Sequence, residues 1–308
     1  GSGKSTLVRD VIYEGVRRRL AGDRRRFDRC RSLRGTRAIG RALEVDATPV
    51  GKTPRSVPAT YLKIWGEIRT ALSRTREART RGYGPGRFSF NRKEGRCPEC
   101  EGRGQILVEM SFLPDVEVPC ERCGGGRYDD ETLDITWRGL SAADILRLTF
   151  AEAQVGFRDF PRVEPYVRLM SDVGVGYLSL GQPSTTLSGG EAQRLKLVTE
   201  LGRTSSNGAT LYVLDEPTIG LHAEDVDRLL AVLRRFVSRG DTVLVIEHDL
   251  DFVTRCDHVV DLGPEGGEHG GTVVAQGSPR QVARARRRSH TGRALAERLT
   301  PKRSGRTS

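Results

Sequence analysis

Apolar residues recur along this chain at helical spacing in long stretches and as short β-prone runs between them. Leu7, Val11, Ile12, Val16 and Leu20 fall on one face of a helix over residues 7–20, and 61–72 repeats the amphipathic pattern. Two further helices are predicted over 191–201 and 223–237. Strand-like runs cover 211–214, 242–246, 258–262 and 272–276, with a glycine-rich turn at 263–271 separating the last two. Strands that alternate with helices imply an α/β domain built on a mainly parallel sheet. Residues 74–182 break this rhythm and read as an insertion. The expected division is therefore a first part of the core over 1–73, an inserted domain over 74–182, a second part of the core over 183–283, and a basic tail over 284–308. The tail ends in Pro, Lys, Arg and Ser, and its last stretch is expected to be disordered.

Size does not limit the fold, since 308 residues can bury one large core or two smaller ones. A formal charge of +11 with 51 Lys+Arg, nearly all arginine, changes the picture more. Arginine forks onto phosphates and stacks on bases, so a nucleic acid is the first partner to consider. A solvated basic surface, or a nucleotide site alone, accounts for the same charge. The arginine-dense stretch 17–41 carries the same pair of readings, a DNA contact or a solvated face. No apolar run approaches the roughly 20 residues of a membrane span, and no secretory leader is visible. A reducing, cytoplasmic setting without a membrane partner is expected.

Chemistry concentrates in three motifs. Leu187-Ser-Gly-Gly-Glu-Ala-Gln-Arg194 and Leu211-Tyr-Val-Leu-Asp-Glu-Pro217 form the pairing by which ABC-type ATPases hydrolyse ATP between two protein surfaces. In the first, Ser188, Gly189 and Gly190 form a turn opening a helix at Glu191, whose backbone N–H groups and dipole face an anion such as a γ-phosphate. The second is a buried strand delivering Asp215 and Glu216 to its C-terminal edge, for Mg²⁺ support and for polarising the attacking water. His248, just past another strand end in Val245-Ile-Glu-His-Asp249, is placed to contact the γ-phosphate. Gly1-Ser2-Gly3-Lys4-Ser5-Thr6 matches the back half of a phosphate loop, in which Lys4 reaches the β- and γ-phosphates and Ser5 ligates Mg²⁺. At a terminus such a string also suits a flexible turn, but two matching downstream motifs favour the loop. The absent front half suggests a C-terminal piece of a longer polypeptide.

Cys97-Pro-Glu-Cys100 and Cys120-Glu-Arg-Cys123, 19 residues apart and each trailed by glycines, have the spacing of a structural zinc site. Disulfides or a redox pair are the competing reading. Four cysteine ligands leave no open position for catalysis, so one Zn²⁺ would be architectural and would hold 105–119 as a hairpin. Cys30 and Cys256 have no partner at ligand spacing. Before the first pair, residues 79–93 interleave cations with Tyr83, Phe88 and Phe90. Arg79, Arg81, Arg87 and Arg92 are candidate phosphate contacts, and the two phenylalanines either stack on bases or fill the insertion's core.

Together these segments resemble the C-terminal half of the UvrA family, the damage-sensing ATPases of the bacterial excinuclease. The resemblance rests on Gly51-Lys-Thr-Pro-Arg-Ser-Val-Pro-Ala-Thr-Tyr61, Gly82-Tyr-Gly-Pro-Gly-Arg-Phe-Ser-Phe-Asn91, the four-cysteine insertion, Thr185 to Arg194, and Asp261-Leu-Gly-Pro-Glu-Gly-Gly267. It implies an ABC-type nucleotide-binding domain (a P-loop NTPase) with an inserted zinc-containing, partly helical signature domain. It also implies a second, N-terminal ABC module in the same polypeptide, a homodimer bound to damaged double-stranded DNA, and handover of that DNA to a helicase-like subunit before a separate nuclease cuts. One position departs from the family: Ala47, in Val45-Asp-Ala-Thr-Pro49, stands where a glutamine usually contacts Mg²⁺ and the lytic water. Either Asp46 or a water substitutes, or hydrolysis is slow, as would suit a UvrA-like resistance paralogue that clamps DNA or drug adducts. Ile219, often threonine in the family, points the same way. Another soluble ABC ATPase is a more distant alternative, since the cysteine pairs are foreign to transporter and translation-factor ATPases.

Overall fold

The computed structural model describes residues 2–23, 25, 27, 29–108, 110, 116–202, 208–265 and 270–300. The chain forms two compact units, one from residues 1–46 and 204–308, the other from the continuous stretch 47–203. These dividing lines fall earlier and later in the chain than the breaks in hydrophobic rhythm at 73/74 and 182/183. The helices near 58–73 and the helix Gly189–Leu201 bury their apolar faces in the second unit, which sequence periodicity does not reveal.

In the first unit, three parallel strands lie in the order Ile39–Val45, Ala209–Asp215, Thr242–Ile246. Leu211 and Val213 of the central strand pack with Ile246 against Val8 and Val16 of the first helical stretch. That stretch is wound as a π-helix over Thr6–Tyr13 and as an α-helix over Glu14–Leu20. Tyr212, pointing the other way as strand alternation requires, meets Phe236 of the helix Ala223–Ser238 at a ring separation of 4.3 Å. Val259–Gly263 and Thr272–Gly277 form a separate antiparallel ribbon. It packs with Val253, Val282 and Leu295, the last from the helix His290–Leu299, so the basic tail begins as a folded element. The end of that tail, 301–308, lies outside the described residues, as does Gly1.

Part of the arginine stretch is neutralised locally. Arg17 and Arg18 bond Glu14, Arg29 pairs with Asp10 at 2.8 Å, and Arg25 with Asp23 at 3.0 Å.

The second unit is mostly helical. Trp65, Phe88, Phe90 and Tyr128 are buried together, with Trp65 Nε1 and Tyr128 Oη both donating to the Phe88 carbonyl, at 3.2 and 2.8 Å. Phe88 and Phe90 are therefore core residues, not surfaces for bases. The turn carrying them lies against the knuckle backbone so closely that a Cβ at Gly102 would come within 1.9 Å of the Phe90 carbonyl oxygen. Only glycine fits there, and its φ of +79° suits that residue as well. The expected hairpin is present as Gln105–Val108 paired antiparallel with Val116–Pro119.

Candidate functional site

In the first unit, the parallel register sets Val45, Leu214–Asp215 and Ile246 side by side at one sheet edge, where the following residues carry the chemistry. Glu216 leaves its strand with φ +45°, an uncommon conformation for a residue with a Cβ, and its N–H donates to the Ile246 carbonyl at 2.9 Å. That bond ties the turn after one strand to the end of the next. Glu216 Oε1 comes within 3.4 Å of His248 Nδ1, so the carboxylate and imidazole expected to act together are brought together. Asp215 faces Arg9 of the first helical stretch at 3.4 Å, and Arg9 also pairs with Glu44. Gly3 has φ +81° and its carbonyl accepts the Leu7 N–H at 2.9 Å, opening the helix. Lys4 Nζ bonds Ser2 Oγ at 3.1 Å, while Ser5 and Thr6 are exposed at the helix start.

Sequence reasoning missed a third carboxylate. Glu247 has a side chain 3% exposed, and each of its oxygens accepts from two donors. Oε1 takes the Thr218 N–H at 3.0 Å and the Thr218 hydroxyl; Oε2 takes the N–H groups of His248 at 2.8 Å and Asp249 at 3.1 Å. Glu247 thus fastens the loop containing Thr218 to the turn that aims His248. The available signal was an acid directly after the apolar run 243–246, where a strand leaving the core would ordinarily reach solvent.

In the second unit, the helix Gly189–Leu201 begins at an exposed Ser188–Gly189 turn with a reciprocal cap. Ser188 Oγ accepts the Glu191 N–H at 3.3 Å, and Glu191 Oε2 accepts the Ser188 N–H at 2.7 Å. Tyr177 Oη donates to the other oxygen of Glu191 at 2.6 Å. Burial works to raise the Glu191 carboxyl, but the Tyr177 and Ser188 bonds outweigh it and hold the group below its usual range. Burial first, and then that same bond, push the Tyr177 hydroxyl up to about 12. Ala47 belongs to this unit too; a Cβ added at Gly189 would stand 3.0 Å from the Ala47 Cβ.

The four cysteines converge. Cys97 and Cys120 have Sγ atoms 3.9 Å apart, Cys100 and Cys123 3.7 Å, and all four lie within 4.8 Å of one another. A tetrahedron with Zn–S bonds of about 2.3 Å has edges of about 3.8 Å, so the donor set fits zinc and excludes a formed disulfide. The Gly104 N–H donates to Cys100 Sγ at 3.3 Å, as a thiolate requires of its surroundings.

The four candidate phosphate-binding arginines divide. Arg87 is largely enclosed: its guanidinium bonds both Asp129 oxygens at 3.1 Å, Thr132 Oγ1 at 2.8 Å and Glu131 at 3.0 Å, and stacks on Tyr83. Arg81 pairs with Asp134 at 3.1 Å. Arg79 and Arg92 are exposed, and no carboxylate pairs with either among the described residues.

A strand edge presenting paired carboxylates and a histidine, together with a capped Ser-Gly-Gly helix and a four-cysteine insertion, defines an ABC-type nucleotide-binding module with an inserted signature domain. Comparison with known proteins narrows this class. Over 283 residues, 92% of its length, the chain is 55% identical to UvrABC system protein A of Thermus thermophilus, and over 295 residues it is 50% identical to that of Bacillus subtilis. A crystal structure of UvrA2 from Deinococcus radiodurans superposes on 97% of the chain with a TM-score of 0.86 at 45% identity. No family model matches. The chain belongs to the UvrA family, and it spans about 30% of the length of the curated relatives it matches. No helix among the described residues is long and apolar enough to cross a membrane.

Proposed function

We propose that this chain is the C-terminal ABC module of a UvrA-like, ATP-dependent sensor of damaged double-stranded DNA in nucleotide excision repair. It would act in the cytoplasm as part of a homodimer that passes DNA to a helicase-like subunit, without cutting DNA itself. The reading is carried by the strand edge at which Glu216 meets His248.

Ser2, Gly3, Lys4, Ser5 and Thr6 would cradle the ATP phosphates, with Gly1 completing the run, and Ser5 and Asp215 would hold Mg²⁺, which neutralises charge on the phosphates. Glu216 accepts a proton from the attacking water, and His248, steadied by Glu247, contacts the γ-phosphate. Ser188, Gly189, Gly190 and Glu191 serve the opposite site, contributed by the N-terminal module, since an ABC sandwich sets each signature turn against the other module's phosphate loop. Arg9, 3.4 Å from one Asp215 oxygen, would leave the other oxygen to face the metal. Zn²⁺ on Cys97, Cys100, Cys120 and Cys123 keeps the insertion folded, and Arg79 and Arg92 are the better-placed phosphate contacts of the original four.

Ala47 supports a second reading, a clamp on DNA or drug adducts that hydrolyses slowly. The test uses a polypeptide completed to the family's length. Glu216→Gln should retain ATP binding and trap the closed state, whereas Lys4→Ala should weaken binding. The 308-residue chain alone should show little turnover. Robust turnover by that chain, independent of its concentration and abolished by Glu216→Gln, would overturn the composite-site reading.

A further inference from the structure

Arg127, four residues beyond Cys123, is a buried cation that no carboxylate pairs with among the described residues. The residue is 5% exposed, and among the described residues it forms no ion pair. Its guanidinium donates to three backbone carbonyls: Nη1 to Pro54 at 3.0 Å and Gly102 at 3.3 Å, and Nη2 to Gly181 at 3.0 Å. It also lies 5.2 Å over the Phe90 ring. Carbonyl dipoles satisfy its N–H groups but leave its full charge uncompensated, and a buried charge without a counter-charge is costly.

The opposite charge is next door. Four thiolates around Zn²⁺ sum to −2, and the knuckle backbone is built around Arg127: its carbonyl accepts the Cys97 N–H at 2.9 Å, and its Cγ packs on Gly104.

Two of the three carbonyls that Arg127 holds, those of Pro54 and Gly181, belong to loops stitched to each other. Ser184 N–H donates to the Ser56 carbonyl at 2.7 Å, and Ala59 N–H to that of Leu180 at 3.0 Å. Gly181 N–H in turn donates to the Leu146 carbonyl at 2.8 Å. The second of these loops runs directly into Ser188.

We propose that Arg127 is the internal counter-cation of a zinc tetrathiolate and that, through Pro54 and Gly181, it ties metal occupancy to the order of the loops that lead into the signature turn. The proposal rests on the zinc reading above and is separable from it.

Two substitutions divide the role. Arg127→Met removes charge and fork; Arg127→Lys keeps the charge and loses the fork. Metal analysis of the purified chain comes first, because a wild-type protein without zinc would sink the zinc reading and this proposal with it. With zinc bound, chelator competition should show affinity at least tenfold weaker in Arg127→Met and within about threefold of wild type in Arg127→Lys. Amide exchange at Gly181 and Ser184 should accelerate in both variants at saturating zinc, and in the wild type when zinc is stripped. Zinc affinity within twofold of wild type in Arg127→Met would refute the counter-cation. Unchanged exchange at Gly181 and Ser184 on zinc removal would refute the coupling. If Arg127→Met fails to fold, Arg127→Lys still decides the coupling, and its zinc affinity the charge: a tenfold loss there would overturn it.

Discussion

Replacing Glu247 by glutamine should damage the His248 turn almost as much as replacing it by alanine. Each Glu247 oxygen accepts from two donors, Thr218 N–H and hydroxyl on one side and the His248 and Asp249 N–H groups on the other. Glutamine offers one oxygen and one NH₂: one way round its NH₂ faces the His248 and Asp249 N–H groups, and the other way it leaves the Thr218 N–H unmet, since only the Thr218 hydroxyl can turn to accept. A hydrogen bond to a charged group contributes about 1.5–3 kcal/mol net, and a buried donor left unmade costs about 1–3 kcal/mol. At a site 3% exposed, the better orientation still leaves one N–H unmet and takes the charge from the remaining bonds, which amounts to about 2–4 kcal/mol. In amide exchange, which reads local opening without assuming that the two units unfold together, this is a loss of protection of roughly 30- to 1,000-fold at Thr218, His248 and Asp249. Protection should persist in the strand Thr242–Ile246. If Glu247→Gln keeps protection within threefold of wild type while Glu247→Ala loses it, the two-sided carboxylate account is wrong.

Three other outcomes follow from the same contacts. Arg87→Gln should destabilise the second unit by about 1–3 kcal/mol in urea denaturation, because it strands Asp129 and the buried Thr132, whereas neutralising Arg79 and Arg92 should not. In the completed polypeptide, removing Arg79 and Arg92 should instead reduce the slope of log binding constant against log salt by about one per lost phosphate contact, and an unchanged slope would move the DNA surface elsewhere. Glu191 titrates below its usual range, so its cap is fully present above the ordinary glutamate pKa and is lost only as pH falls through the lowered value; Tyr177→Phe should shift that loss to higher pH, read by exchange at the Ser188 amide.

The nucleotide motifs were legible because their chemistry demands fixed residue types at fixed spacing, and the cysteine pairs for the same reason. The strand Ile39–Val45 was not legible: Gly40, Arg41 and Glu44 interrupt its apolar alternation, and its register slips between Ile39 and Arg41. It is identified by pairing with Ala209–Asp215, a partner far away in sequence. Arg127 and Arg87 carried no signal either. In a chain so rich in arginine, an enclosed guanidinium and a phosphate-seeking one look the same until the side chain's neighbours are known. The same holds for Phe88 and Phe90, whose interleaving with cations suited a base platform as well as the core they occupy.

The strands Ile39–Val45 and Ala209–Asp215 of the first unit are neighbours, yet in sequence the whole second unit lies between them. Residues 46–208 separate the end of one from the start of the other, a span of 163 residues by numbering (208 − 46 + 1). Closing a flexible loop of that length costs about 4–5 kcal/mol more than the constant term, which parallel pairing must overcome before it gains anything. An insert that folds first takes up most of that slack and lowers the cost. Assembly of the strand edge that carries Glu216 would then wait on the folding of the insert, and on the metal as well if zinc holds the four cysteines as proposed.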